Sequence, residues 1–185
     1  ICYQATWMHG ISPVFGKIVS GDVLINYQER HLPIHLVNNE ETVKNLDNEG
    51  IKSIAVGMPY IYTKAHSEKK RNKILFRKVF MPPHSILANQ EFDYSKWRAI
   101  IKKYDCDAIC IGGNDYINVI NKKINFGGVK VLKGADSRDN SSLTRISQMF
   151  YSSSEMITNS LGSHLTYAAA SGVKVKVIDE IYKLH

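Results

Sequence analysis

The chain is 185 residues long, enough for one large or two small domains with a real apolar core. It carries 24 Lys and Arg against 17 Asp and Glu, a net charge of +7, so its partners are expected among anions: nucleic acid on one reading, an acidic metabolite or a membrane surface on another. No apolar run approaches the ~20 residues of a membrane span, no zinc-finger, helix-turn-helix or aromatic-rich RNA-binding pattern occurs, and Cys2, Cys106 and Cys110 have neither the even count of a disulfide framework nor the paired spacing of a zinc site.

In chain order, the sequence begins at Ile1 with no initiator Met and no signal-peptide pattern, which points to a piece of a longer protein, and Cys106 and Cys110, flanking a predicted buried strand, read as reduced thiols of a cytoplasmic one. Ile34 to Asn38 reads as a short apolar strand. Glu40 to Asp47 reads as a helix, with acidic residues in its first turn, Val43 and Leu46 on one face and Gly50 as its stop. Ile51 to Val56 is the next strand and ends at Gly57-Met-Pro-Tyr60. A strand, a helix and a strand on short connections signal a parallel sheet. From Thr63 to Asn72 apolar periodicity disappears, so residues 64–72 are expected to be a linker between parts 1–63 and 73–185.

The second series opens with Ile74 to Phe76 and Val79 to Met81, an interrupted strand or two short ones around Arg77 and Lys78. Pro82-Pro-His-Ser85 follows as a rigid loop. Asp93 is placed to cap a helix over Tyr94 to Tyr104 that buries Trp97, Ile100 and Ile101. Asp107 to Ile111 reads as a buried strand ending in Gly112-Gly-Asn114, then Asp115 to Lys123 as a helix and Val129 to Leu132 as a strand. An amphipathic helix over Ser141 to Tyr151 precedes a strand from Ser154 to Asn159. A Gly-Ser turn, a small-residue helix from Leu165 to Ser171 and a strand from Val173 to Ile178 complete the series. This alternation predicts a doubly wound α/β domain with helices on both faces of a parallel sheet.

Ligands of such sheets gather beyond the carboxyl ends of the strands. Four loops rich in Gly, Pro, His, Ser or Asn are expected there: Gly57 to Tyr60, Pro82 to Ser85, Gly112 to Asn114 and Asn159 to His164. In the last, Gly162 lets backbone approach a ligand closely, and Ser163 with the helix-start N–H groups can face a phosphate. A plain βαβ unit capped by Gly172 reads equally well from that segment alone.

The order of parts resembles the latter half of a GT-B-fold glycosyltransferase of bacterial surface or capsular polysaccharide synthesis. Trp7-Met-His-Gly10 is similar to the W-x-H-G motif of such polymerising transferases. Ala55-Val-Gly-Met-Pro-Tyr60 is similar to the end of their acceptor domain. Met81-Pro-Pro-His-Ser85 resembles the loop after the first strand of their nucleotide-sugar domain. Ile157-Thr-Asn-Ser-Leu-Gly-Ser163, with Ala168 to Val173, resembles their donor-site segment.

The resemblance implies a GT-B-like fold, with the end of an acceptor-side Rossmann-like domain in 1–63 and a nearly complete nucleotide-sugar domain in 73–185. It implies metal-independent transfer of a sugar from a nucleotide-activated donor to a hydroxyl of a growing surface glycan, with no cofactor. His9 is the expected catalytic base, against an equal reading of a packed histidine beside Trp7. Gly57, Pro59, His84, Ser85, Gly112, Gly113, Asn114, Asn159, Ser160, Gly162, Ser163 and His164 are the expected donor-binding residues. Asp136 and Arg138 fall in a polar loop, read as solvated or as closing over the donor. Where such enzymes carry a ribose-binding Glu this chain has Tyr167, and Lys174 replaces their usual Pro, leaving CMP, CDP and UDP donors open.

Expected partners are a nucleotide sugar and a glycan or lipid-linked acceptor, not nucleic acid. Contact with the inner, anionic face of the plasma membrane is left open by the basic charge. Three other readings stand beside the transferase: a nucleotide-sugar epimerase of the same fold, a non-catalytic carbohydrate-assembly subunit and, last, a basic nucleic-acid binder.

Overall fold

The computed structural model describes residues 5–7, 13–14, 17–18, 33–63, 73–84, 92–136 and 138–178. The chain divides into two compact units, Ile1–Tyr62 and Thr63–His185, and among the described residues each sheet stays within one unit.

The first unit contains β1 (Ala5–Trp7), β2 (Pro13–Val14), β3 (Lys17–Ile18), β4 (Ile34–Val37), helix α1 (Glu40–Asp47) and β5 (Ser53–Ala55). Strands β1, β4 and β5 form a parallel sheet in that order, and β2 pairs antiparallel with β3. Helix α1 starts where it does because the Asn39 side chain accepts the Thr42 N–H at 2.9 Å, satisfying one of the orphan donors of the first turn. It ends at Asp47, and the turn out of it passes through Gly50, whose φ of +71° suits a residue without a Cβ. Its buried face packs Leu46 onto Val37 and Ile51, with Val43 alongside.

The second unit runs β6 (Phe76–Met81), α2 (Tyr94–Tyr104), β7 (Ala108–Ile111), α3 (Gly113–Asn121), β8 (Lys130–Lys133), α4 (Ser142–Tyr151), β9 (Ser153–Thr158), α5 (Ser163–Ala170) and β10 (Lys174–Val177). Its five strands are all parallel, in the order β10-β9-β6-β7-β8. From β6 the chain moves outward to β7 and β8, then returns to the other side of β6 for β9 and β10. The direction therefore reverses between β6 and β9, a Rossmann-like arrangement in general form.

Every residue of β7 is buried, as expected of a strand covered on both faces. On one face Phe80, Ile109 and Ile157 pack with Trp97, Ile100 and Val119 of α2 and α3. Helix α4 lies over the opposite face, where Met149 approaches Cys110 and Leu132, and α5 lies beside it. The α2 spacing of Trp97, Ile100 and Ile101 puts all three on the buried side, and Asp93 caps the helix through the Ser95 N–H at 3.0 Å.

The sequence left β6 interrupted at Arg77 and Lys78, but the strand is continuous. The Asp107 carboxylate accepts both backbone N–H groups, and the Arg77 guanidinium reaches the same carboxylate at 3.0 Å. The Lys78 ammonium donates to the Tyr104 carbonyl at 2.9 Å. Both cations thus have partners beside the strand, and neither forces a break. Among the described residues no helix is long and apolar enough to cross a membrane.

Candidate functional site at the carboxyl edge of the second sheet

The reversal between β6 and β9 leaves a crevice position beyond Met81 and Thr158, where the loops of two adjacent strands diverge. From β6 comes Pro82-Pro83-His84, with Pro82 buried and His84 exposed. From β9 comes Asn159 to Gly162, which feeds directly into α5. The loop after β7 is so short that Gly112 already serves as the N-cap of α3.

These loops touch. A Cβ at Gly112 would fall 2.9 Å from the His84 Cβ, so the β7 loop can pass His84 only as glycine. A Cβ at Gly113 would fall 2.5 Å from the Asp136 Cγ, which draws in the loop after β8. The Gly113 N–H donates to the Ala135 carbonyl at 2.8 Å and fixes that approach. Three strand ends, those of β6, β7 and β8, therefore contribute to one loop cluster.

On the β9 side, His164 Nε2 lies 3.1 Å from the Thr158 hydroxyl and 3.5 Å from that of Ser160. Thr158 Oγ1 also accepts the Ser160 N–H at 3.2 Å, so the turn is closed by its own side chains. Burial above all, with the nearby His84 acting in the same direction, pushes the His164 pKa down to about 4 against a hydrogen bond to the Ser160 backbone. At neutral pH His164 is an uncharged imidazole. Helices α3 and α5 both start at a glycine N-cap without a side-chain cap bond. Neither α3 nor α5 places a cation in its last turn, and α5 has no carboxylate.

Residues 135–136 and 138–141 are held by specific pairs rather than merely solvated. The Asp136 side chain is only 6 % exposed and pairs with Lys133 at 2.9 Å and Arg138 at 3.0 Å. These partners, Arg138 first, hold its carboxyl far below the ordinary carboxylate range. Arg138 donates through Nη2 to Asn114 Oδ1 at 3.0 Å, which sets the guanidinium beside the first turn of α3. Its Nη1 donors make no bond among the described residues. Asp139 pairs with Arg145 at 2.8 Å, and the Ser141 hydroxyl and N–H bring its pKa down to about 2. Arg145 is anchored in turn on the Lys133 and Gly134 carbonyls, at 3.0 and 3.2 Å.

Of the expected site residues, His84, Gly112, Gly113 and Asn114 share this edge with Asn159, Ser160, Gly162, Ser163 and His164. Asn159 is buried, and Ser160, Gly162 and Ser163 are half-buried. Gly57 and Pro59 follow β5 in the first unit, where Gly57 has φ +78° and the Pro59 carbonyl accepts the Tyr62 N–H at 3.2 Å. His9 and Ser85 lie outside the described residues. Sequence reading undervalued Lys133, Asp136, Arg138 and Arg145. Their signal was the run Ala135-Asp-Ser-Arg-Asp139, in which opposite charges sit close enough to pair.

Among the described residues no group of three or more His, Cys, Asp or Glu side chains is arranged to hold a metal ion. Cys106 and Cys110 are free and buried, and burial raises their thiols to about 11 and about 12, so both stay protonated. Fold and edge together define an α/β protein of Rossmann-like general form, with its polar loops gathered at the strand-order reversal. The chain matches no protein family, no curated protein and no solved structure.

Proposed function

We propose that this protein is a GT-B-like glycosyltransferase that moves a sugar from a nucleotide-activated donor to a hydroxyl of a growing surface glycan. The observation that carries the reading is the meeting of His84, His164 and two glycine-capped helix starts at the reversal between β6 and β9. Helix-start N–H groups, aided by the helix dipole, favour a phosphate.

In this reading the donor phosphates rest between the starts of α3 and α5, with Arg138 supplying positive charge. His84 and neutral His164 contribute hydrogen bonds. His9 takes the proton from the acceptor hydroxyl as its oxygen bonds to the anomeric carbon. The bond from that carbon to the phosphate oxygen breaks, and the leaving phosphate gains charge against donors already oriented toward it. No step calls for a metal.

The test is thermal stabilisation of the intact protein by CMP, CDP, UDP and GDP, followed by turnover of the corresponding sugar donors with His9→Ala. Stabilisation by one nucleotide, with turnover cut roughly 10²–10⁴-fold and nucleotide affinity retained in the variant, supports the reading. Turnover without an acceptor would make the enzyme an epimerase.

One observation favours a second reading. Tyr167, where such transferases carry a ribose-binding Glu, is buried, and α5 holds no carboxylate to replace it. A non-catalytic assembly subunit with a degenerate donor pocket accounts for that, and it binds none of the four nucleotides.

A further inference from the structure

Over the Cys110 face of the second sheet, between α4 and strands β7 and β8, lies a cleft of about 350 Å³. Phe76, Leu132, Ile146 and Met149 line its walls, and Cys110 lies at its base. Protein interiors are packed to crystal density, so a gap of this size beside buried side chains leaves many of their atoms without contacts. It falls within the roughly 300–1,000 Å³ of small-molecule sites. Leu75 at its lip is 59 % exposed, which extends the apolar surface outward.

The charge of the lining is one-sided. Lys130, Lys133 and Arg145 line the cleft and no carboxylate does. Lys133 is bound to Asp136 and Asp139, and Arg145 to Asp139, so those two cations are compensated. Lys130 is not. Its ammonium sits 5.7 Å from the centre of the Phe76 ring, and no carboxylate among the described residues pairs with it. An apolar trough with one uncompensated cation complements an apolar molecule with one negative end. An apolar cation would meet the like charge of Lys130.

We propose that this cleft binds an apolar monocarboxylate, its carboxylate against Lys130 and its body along Phe76, Leu132, Ile146 and Met149 toward Cys110. An aliphatic acyl chain and an aromatic acid share this chemistry, and the test separates them. The site is independent of the nucleotide reading, which stands or falls on other residues.

The experiment is calorimetric titration of the intact protein with decanoate, 2-naphthoate, decanol and decyltrimethylammonium, each below its micellar concentration. One carboxylate should bind at a single site, decanol more weakly, and the cation not at all. Decanoate binding alone assigns an acyl chain, and naphthoate binding alone an aromatic acid. Lys130→Met, on an exposed side chain, should weaken the carboxylate roughly 10- to 100-fold, the worth of one hydrogen bond to a charged group, while leaving decanol unchanged. Absence of binding by both carboxylates, or equal affinity in wild type and Lys130→Met, overturns the proposal. So does self-association abolished by Leu75→Asp without carboxylate binding, which would assign the cleft to a second copy of the chain.

Discussion

Thr158 and His164 are joined across the start of α5 at 3.1 Å, and burial holds the imidazole neutral with a pKa of about 4. The folded value lies below the ordinary 6.5 of an unfolded chain, so the unfolded state takes up the proton first as pH falls. The contribution to stability is whole above pH 6.5 and is lost between there and about 4. The urea midpoint should therefore fall from pH 7.5 to pH 5, and fall less in His164→Gln. Equal slopes in the two proteins would contradict the buried neutral ring. Asp136 and Asp139, with their pKa values lowered by hydrogen bonds, hold their contributions until lower pH.

Asp136 and Arg138 divide along a similar line. Asp136 has two cations and a side chain 6 % exposed, whereas the Arg138 side chain is 61 % exposed. Asp136→Asn should lower Tm, because Lys133 and Arg138 lose a shared acceptor. Arg138→Ala should leave Tm within a degree or two and weaken nucleotide binding by roughly tenfold or more, as expected for a charged hydrogen bond. An Arg138→Ala protein with full nucleotide affinity would remove Arg138 from the site.

Among the elements, the helices were legible wherever a local signal set their ends. Glu40 and Glu41 before Gly50 bounded α1, and Asp93 bounded α2, because caps and turns act within a few residues. What the sequence hid depends on partners far along the chain. Arg77 looked like a break in β6 because its acceptor, Asp107, is 30 residues away. Arg138 looked solvated because Asn114, 24 residues away, receives it. Within the site, glycine and histidine loops stood out by composition, but the packing of Gly113 on Asp136 had no local mark.

The edge strands explain part of the basic charge. Strands β8 (Lys130-Val-Leu-Lys133) and β10 (Lys174-Val-Lys-Val177) are the two edges of the sheet, and each carries two lysines. Charged edges discourage pairing with another chain. Replacing Lys174 and Lys176 together by Thr should raise aggregation on heating, measured by light scattering, with little change in Tm. Unchanged scattering would leave these lysines without that role. Beneath α2 the reverse holds: Trp97, fully buried against Phe92 and Phe126, should cost about 3–5 kcal/mol when changed to Ala. A much smaller loss by urea unfolding would contradict its central place.

For the whole molecule, the second unit has its own parallel sheet and an apolar cluster extending from Phe80 and Trp97 to Phe126. Residues 63–185 expressed alone should unfold in one cooperative transition. If the sugar-transfer reading holds, they should also bind nucleotide while lacking turnover, since His9 belongs to the first unit. The central claim is that nucleotide binds at the carboxyl edge of this sheet. Its most direct test is calorimetric titration of the intact protein and of Gly162→Val with CMP, CDP, UDP and GDP. A Cβ at Gly162 would fall 3.2 Å from His164 Nδ1, so the branches of valine must crowd the ring and the helix start. The account predicts one nucleotide bound at one site, with affinity at least about tenfold lower in a folded Gly162→Val protein, the loss of a charge-assisted contact. No binding by any of the four, or undiminished affinity in the folded variant, would contradict it.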